Sequence, residues 1–193
     1  MLTQNELAWN AQVRRRIAIS EGERTTMYHD SRGIPTIGIG FNLLRADARD
    51  ALAKVGVTDI AGVLNGDVAL SQNQVNELFD YSFAPIVTDA RNSLVDGVFD
   101  ALSDARRFVI CDLVFNMGFA GWGQFVNTRA AIVTAQKAKG ANSPDAHALF
   151  VAAANDLRQS DWFSQVGDRA KRDCAMMQVG IWCDATGDGS DIL

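Results

Sequence analysis

The stretch from Ser103 to Gly118, SDARRFVICDLVFNMG, constrains the fold more than any other part of the chain. Ser103 offers a side-chain oxygen to cap a first turn. Phe108, Cys111, Leu113, Val114 and Phe115 then follow so densely that the helix they form is apolar on most sides. Such a helix is stable only when other elements enclose it. With 193 residues, 48% of them hydrophobic, the chain can supply those elements and bury a core without disulfide or metal staples. Gly118, Gly121 and Gly123 are expected to break the helix.

Other helices can be read around it. Ser143-Pro144-Asp145 joins a capping hydroxyl, a first-turn proline and an acidic residue near the positive helix end, and predicts a helix to about Gln159. A last helix is expected from Gly167 to about Trp182, followed by a frayed tail, DATGDGSDIL. Upstream, Val75, Leu78, Phe79 and Phe83 recur at helical spacing in a long helix from Ser71 to about Leu94, which Pro85 is expected to bend or split. A shorter helix spans about Ala48 to Val55.

Near the N-terminus the pattern changes. Glu6 to Ile19 reads as a helix with Leu7, Val13 and Ile17 on one stripe, Arg14, Arg15 and Arg16 on a solvated face, and Gly22 as its stop. Thr25 to Tyr28 then favours a strand, Asp-Ser-Arg-Gly a turn, and Pro35 to Phe41 a returning extended run. Gly38 and Gly40 would let another backbone approach this hairpin closely.

Composition narrows the function classes. A net charge of −5 and a pI near 4.9 argue against a nucleic-acid partner, since phosphate binding needs a basic face. No run of roughly eighteen apolar residues is present, so stable membrane association is not expected. MLTQNELAWNAQVRRR has no apolar signal core, so the chain is expected to begin in a cytoplasm and to need a separate exit route for work outside it. Cys111, Cys174 and Cys183 are odd in number and widely spaced, which points to buried thiols. His29 and His147 have no spaced ligand partner, so neither a metal nor a cofactor is expected.

The chemistry concentrates in EGERTTMYHDSRGIPTIGIG, where Glu21, Asp30 and Thr36 lie within one helix end and hairpin. Two carboxyl groups and a hydroxyl suffice to cleave a glycosidic bond: one acid protonates the leaving oxygen, and the other group with the hydroxyl places a water on the opposite face of the sugar. Taken singly, each has a plainer role as a surface acid, a turn opener or a strand residue. Glu23 competes with Glu21, because only one of them can face the hairpin, and periodicity leaves both open.

That run resembles the catalytic segment of phage-type lysozymes, the glycoside hydrolase family 24 endolysins, in which a glutamate, eight residues, an aspartate, five residues and a threonine recur before TIGIG. DARRFVICDLVFNMGFAGWGQFVN is similar to the family's buried C-terminal helix and the loop after it, and SDWFSQVGDRAKRDCAMMQVGIWCDA to its closing helices. The resemblance implies Glu21 as general acid, Asp30 as catalytic aspartate and Thr36 as the water-positioning residue. It implies substrate contacts at Asn116, Met117, Gly118 and Phe125, and Arg169 as a supporting partner of the glutamate. An arginine there would by itself favour the ionised glutamate, so desolvation would have to outweigh it. Trp162 is expected to support the cleft. Phe41, Arg32, Asp161 and Asn116 depart from the best-known members without touching the Glu, Asp, Thr set.

The expected fold class is therefore α+β and mostly α-helical: a two-lobed, lysozyme-like single domain over 1–193. It comprises an α+β lobe with a small β-hairpin over about 20–70, a long connecting helix over about 71–94, and an all-helical C-terminal lobe over about 95–185. That lobe would be packed with the N-terminal helix 6–19 and followed by a flexible tail over 186–193. The implied activity is an endolysin that hydrolyses the β-1,4 bond between N-acetylmuramic acid and N-acetylglucosamine in peptidoglycan. A monomer, it would wait in the host cytoplasm until a separate holin gave it access to the periplasm and cell wall. A lytic transglycosylase, a chitinolytic relative and a non-catalytic wall-binding virion module are the alternatives.

Overall fold

The computed structural model describes residues 3–30, 32–138 and 143–183; the expected tail lies outside the described residues. The architecture is α+β and mostly helical, with one small antiparallel sheet. The chain divides into two compact units, Met1–Pro85 and Ile86–Leu193.

In the first unit, α1 (Gln4–Glu21) starts earlier than its apolar pattern indicates. The reason is a capping box: Glu6 N donates to Thr3 Oγ1 at 3.2 Å, and Thr3 N donates to the Glu6 carboxylate at 2.7 Å. Its buried stripe is Trp9, Val13 and Ile17, one residue per turn, whereas Leu7 is exposed. Arg15 is exposed as expected, but Arg14 clamps both Asp80 oxygens at 2.7 Å. Gly22, at φ 79°, ends the helix.

The sheet has three strands in the order β1 (Arg24–His29), β2 (Pro35–Gly38) and β3 (Phe41–Asn42), one more than a hairpin. The extra strand arises because Gly38 and Gly40, at φ 64° and 69°, turn the extended run back on itself. α2 (Ala48–Lys54) and α3 (Ile60–Asn65) follow. The second was not legible from periodicity; it starts on Asp59, whose carboxylate accepts from Gly62 N at 2.8 Å. Ile17, Ile37, Leu52, Val63 and Leu78 are buried at this unit's core.

α4 (Gln72–Asn92) opens with a reciprocal Ser71–Gln74 cap. It runs as one helix through Pro85, so the expected split does not occur. α5 (Val98–Ala101) is a single turn before α6 (Asp104–Gly123), which Ser103 caps through Arg106 N. α6 is buried over residues 105–114 apart from the half-buried Arg107, as its composition requires, and is largely exposed over residues 116–120. Of its three glycines only Gly118 (φ 77°, ψ 165°) kinks it; Gly121 and Gly123 lie in helix beyond the kink.

α7 (Val126–Lys137) was not foreseen, because its β-branched residues blur the helical pattern; it is secured where Thr128 N donates to Asp156 Oδ2 at 3.1 Å. α8 (Pro144–Arg158) starts at the predicted Ser143 cap. α9 (Asp161–Val166) precedes α10 (Asp168–Val179), which ends three residues before the expected Trp182. Gly180 stops it in the left-handed conformation, and Arg106 caps the helix's last carbonyls, donating to Met177 O at 2.9 Å and Gln178 O at 3.0 Å. Trp122, fully buried, gives its N–H to Ser93 Oγ at 2.8 Å. The three cysteines are buried and free, and burial pushes the Cys111 thiol far up and Cys174 to about 12, so neither is poised as a nucleophile. Among the described residues no single helix is long and apolar enough to cross a membrane.

Candidate active site

In the first unit, Glu21 is the last residue of α1, and the turn at Gly22 leads the chain straight into the sheet. Glu21 lies along Gly40: a methyl group added there would stand 3.8 Å from Glu21 Cβ and 3.9 Å from its Oε2. Glu23 turns instead to the start of α4, accepting from Gln72 Nε2 at 2.7 Å. Of the two acids, Glu21 is the one against the sheet.

Asp30 opens the β1–β2 turn and closes it through its own side chain. Its Oδ1 accepts from Arg32 N at 2.8 Å and Ile34 N at 2.9 Å, while its backbone N–H reaches Ile34 O at 3.0 Å. The Ile34 amide, and behind it the Arg32 amide, hold the carboxyl below the usual carboxylate range, so Asp30 is ionised at neutral pH. Oδ2 takes neither backbone bond and faces only the exposed Arg32 guanidinium, 3.8 Å away, among the described residues. Thr36, 4% exposed on β2, spends its hydroxyl proton on Ile34 O at 3.0 Å.

Tyr28 is a residue that sequence reasoning missed. It pairs with Thr36 across β1 and β2, and the Arg24 guanidinium stands 4.9 Å from its ring centre. Burial first, and then the charges of Glu21 and Asp30, raise its pKa against the opposing pull of Arg24, so the phenol keeps its proton. Its position two residues before Asp30 on a strand was the available signal.

In the second unit the predicted contacts fall into two groups. Asn116 Oδ1 accepts from Trp162 Nε1 at 3.2 Å, which orients the amide and leaves its NH2 to donate. Trp162 thus orients the Asn116 side chain. One turn earlier on α6, Asp112 takes both arms of Arg169, Nε to Oδ2 and a terminal nitrogen to Oδ1, each at 2.7 Å. Asp112, 1% exposed, was not read from sequence. Phe125 belongs elsewhere, stacked on Trp122 at 5.9 Å, and Met117 lies against Gly121 beyond the Gly118 kink. Among the described residues no cluster of three His, Cys, Asp or Glu side chains could hold a metal.

Comparison with known proteins shows the family. The family model described as phage lysozyme matches residues 18–157, a span that contains Glu21, Asp30, Thr36, Asn116 and Phe125 but not Arg169. Over 164 residues the chain is 25% identical to the pre-baseplate central spike protein Gp5 of Enterobacteria phage T4, covering 83% of this chain and 26% of that protein. It is 24% identical over 165 residues to the probable T4-type lysozyme 2 of Dictyostelium discoideum, covering 83% and 89% of the two chains. With the endolysin of Salmonella phage P22 it shares 33% over 109 residues, 55% of this chain and 62% of that one. A family model matched over most of the length, on a mostly helical fold with this helix end and small sheet, means that the chain belongs to the phage lysozyme family.

Proposed function

We propose that the chain is a muramidase that hydrolyses the β-1,4 bond between N-acetylmuramic acid and N-acetylglucosamine in peptidoglycan, with inversion at the anomeric carbon. Glu21 gives its proton to the glycosidic oxygen, and Asp30 with Thr36 holds water on the far face of the sugar. What carries this reading is the disposition of protons at the hairpin. The Thr36 hydroxyl has given its proton to Ile34 O, so toward a water it can only accept. Asp30 is ionised, with Oδ1 occupied by two backbone amides, and offers Oδ2 as the second acceptor. A water that donates one proton to each turns its lone pair away from both, toward the anomeric carbon. As its oxygen bonds to that carbon, the water's proton passes to Asp30, and the leaving oxygen departs with the Glu21 proton.

The further contacts are proposed at Asn116, Met117, Gly118 and Phe125, with Arg169 in support. The Trp162 bond to Asn116 favours the first of these most directly. A turbidity assay on outer-membrane-permeabilised Gram-negative cells tests the activity: wild type clears them and Glu21→Gln does not. Mass spectrometry of the digest tests the reaction type. Reducing ends support hydrolysis, whereas 1,6-anhydro ends would make the protein a transglycosylase.

In the cell we assign this activity to bacterial host lysis, with the enzyme held in the host cytoplasm until a holin opens a path to the periplasm and wall. Lysis by cells expressing the chain alone would overturn that dependence. Likeness to a virion spike protein favours one second reading, a wall-binding virion module. Full biological effect from Glu21→Gln would establish it.

A further inference from the structure

Asp112 on α6 and Asp173 on α10 are each 1% exposed, and they come together inside the second unit with Arg169, which bonds Asp112. Asp173 follows Arg169 by four residues on α10, so the two side chains share a helix face. Arg169 forks onto both oxygens of Asp112 at 2.7 Å, and the Asp112 charge acts on the buried Asp173 carboxyl beside it. Two carboxyl groups can share a hydrogen bond only if one of them carries a proton. The fork stabilises charge on Asp112. Asp173 has no such partner, and its Oδ2 is buried without any hydrogen bond, a condition tolerable for a neutral acid and severe for an ionised one.

We propose that Asp173 carries a proton which it donates to Asp112, and that the resulting neutral trio of Asp173, Asp112 and Arg169 is the device that fixes the Arg169 guanidinium. The positioning half rests on the reading of Arg169 as a supporting residue of the catalytic site; the proton on Asp173 does not. Burial and the Asp112 charge both hold Asp173 well above the ordinary carboxylate range. Arg172 also acts on it from α10, and α8 presents Arg158 to the neighbouring Cys174. Cys111 beside Asp112 stays a neutral thiol, and α9 contributes the uncharged Trp162 to Asn116. Because the folded acid keeps its proton while the unfolded one ionises, the stability it contributes is complete below the ordinary carboxylate range and is lost as pH rises through the raised folded value.

Carboxyl carbon NMR of the full chain with labelled aspartate tests this directly. One resonance should keep the shift of a protonated acid above the ordinary carboxylate range and vanish in Asp173→Asn, which also donates to Asp112 and should flatten the fall of the melting temperature as pH rises beyond that range. A titration of every aspartate in the ordinary range would overturn the proposal even if Asp173→Asn failed to fold. For the positioning half, Asp112→Asn should lower kcat about tenfold or more with KM unchanged, while Asp173→Asn stays within about twofold of wild type. Unchanged kcat in a folded Asp112→Asn protein would overturn that half alone, and would leave the Glu21 chemistry to be judged by Glu21→Gln.

Discussion

In the first unit Asp30 is held by amides two and four residues further on, and Thr36 bonds a carbonyl two residues back. In the second unit Asp112 meets Arg169 across 57 residues, Trp162 reaches Asn116 across 46, and Arg106 caps α10 across 71. The first arrangement is local and partly exposed, and the backbone enforces it. The second is distant and buried, and side chains enforce it. Placing a water for attack needs fixed acceptors on a surface that substrate can reach, which a tight turn supplies at little cost. Fixing an arginine in a core needs a compensating charge, which only the folded chain can bring.

The largest expected effect separates chemistry from structure. Glu21→Gln should reduce turnover by roughly 10³-fold, measured as release of reducing ends, with an unchanged melting temperature. Loss of stability along with activity would mean that the first region is not merely a local construction. In the other region the order reverses: Asp112→Ala should cost about 3–5 kcal/mol in denaturant unfolding, since it takes from Arg169 a buried carboxylate that accepts both of its arms. A loss below about 1 kcal/mol would show that the buried fork contributes no more than a surface ion pair.

Glycine substitutions sharpen the contrast at smaller scale. Gly33 and Gly180 both adopt positive φ, 77° and 78°. A methyl group at Gly33 meets nothing within 4 Å, whereas one at Gly180 would lie 2.7 Å from the Arg106 guanidinium carbon. Gly33→Ala should therefore cost about 1 kcal/mol of backbone strain. Gly180→Ala should cost about 2–3 kcal/mol, because the guanidinium that caps α10 must also move. Equal losses in thermal unfolding would remove the distinction.

The smallest effects are opposite in sign. Asp30 has its pKa lowered by backbone amides, so its contribution to stability is present above the usual carboxylate range and is lost as pH falls through its folded value. Asp173 has its pKa raised by burial, so its contribution is present below that range and is lost as pH rises through its folded value. Asp30→Asn should flatten the acid side of the stability profile, and Asp173→Asn the side toward neutral and alkaline pH. A single slope for both would contradict the two electrostatic settings.

Sequence alone determined the elements whose causes are short-range. The capping residues Ser103 and Ser143 begin α6 and α8 as read, and Gly22 ends α1. The Glu21, Asp30 and Thr36 spacing was visible because a helix end and one turn gather those residues within sixteen positions. Tertiary structure decided the rest. Pro85 does not split α4, and α7 forms despite a blurred pattern, because packing outweighs local propensity. It also chose Glu21 over Glu23 at the sheet, which periodicity could not do. Asp112 and Asp173 read as ordinary polar residues in their helices; only burial beside one another and Arg169 gives them a shared proton and charge, and burial belongs to the folded chain rather than to any spacing within it.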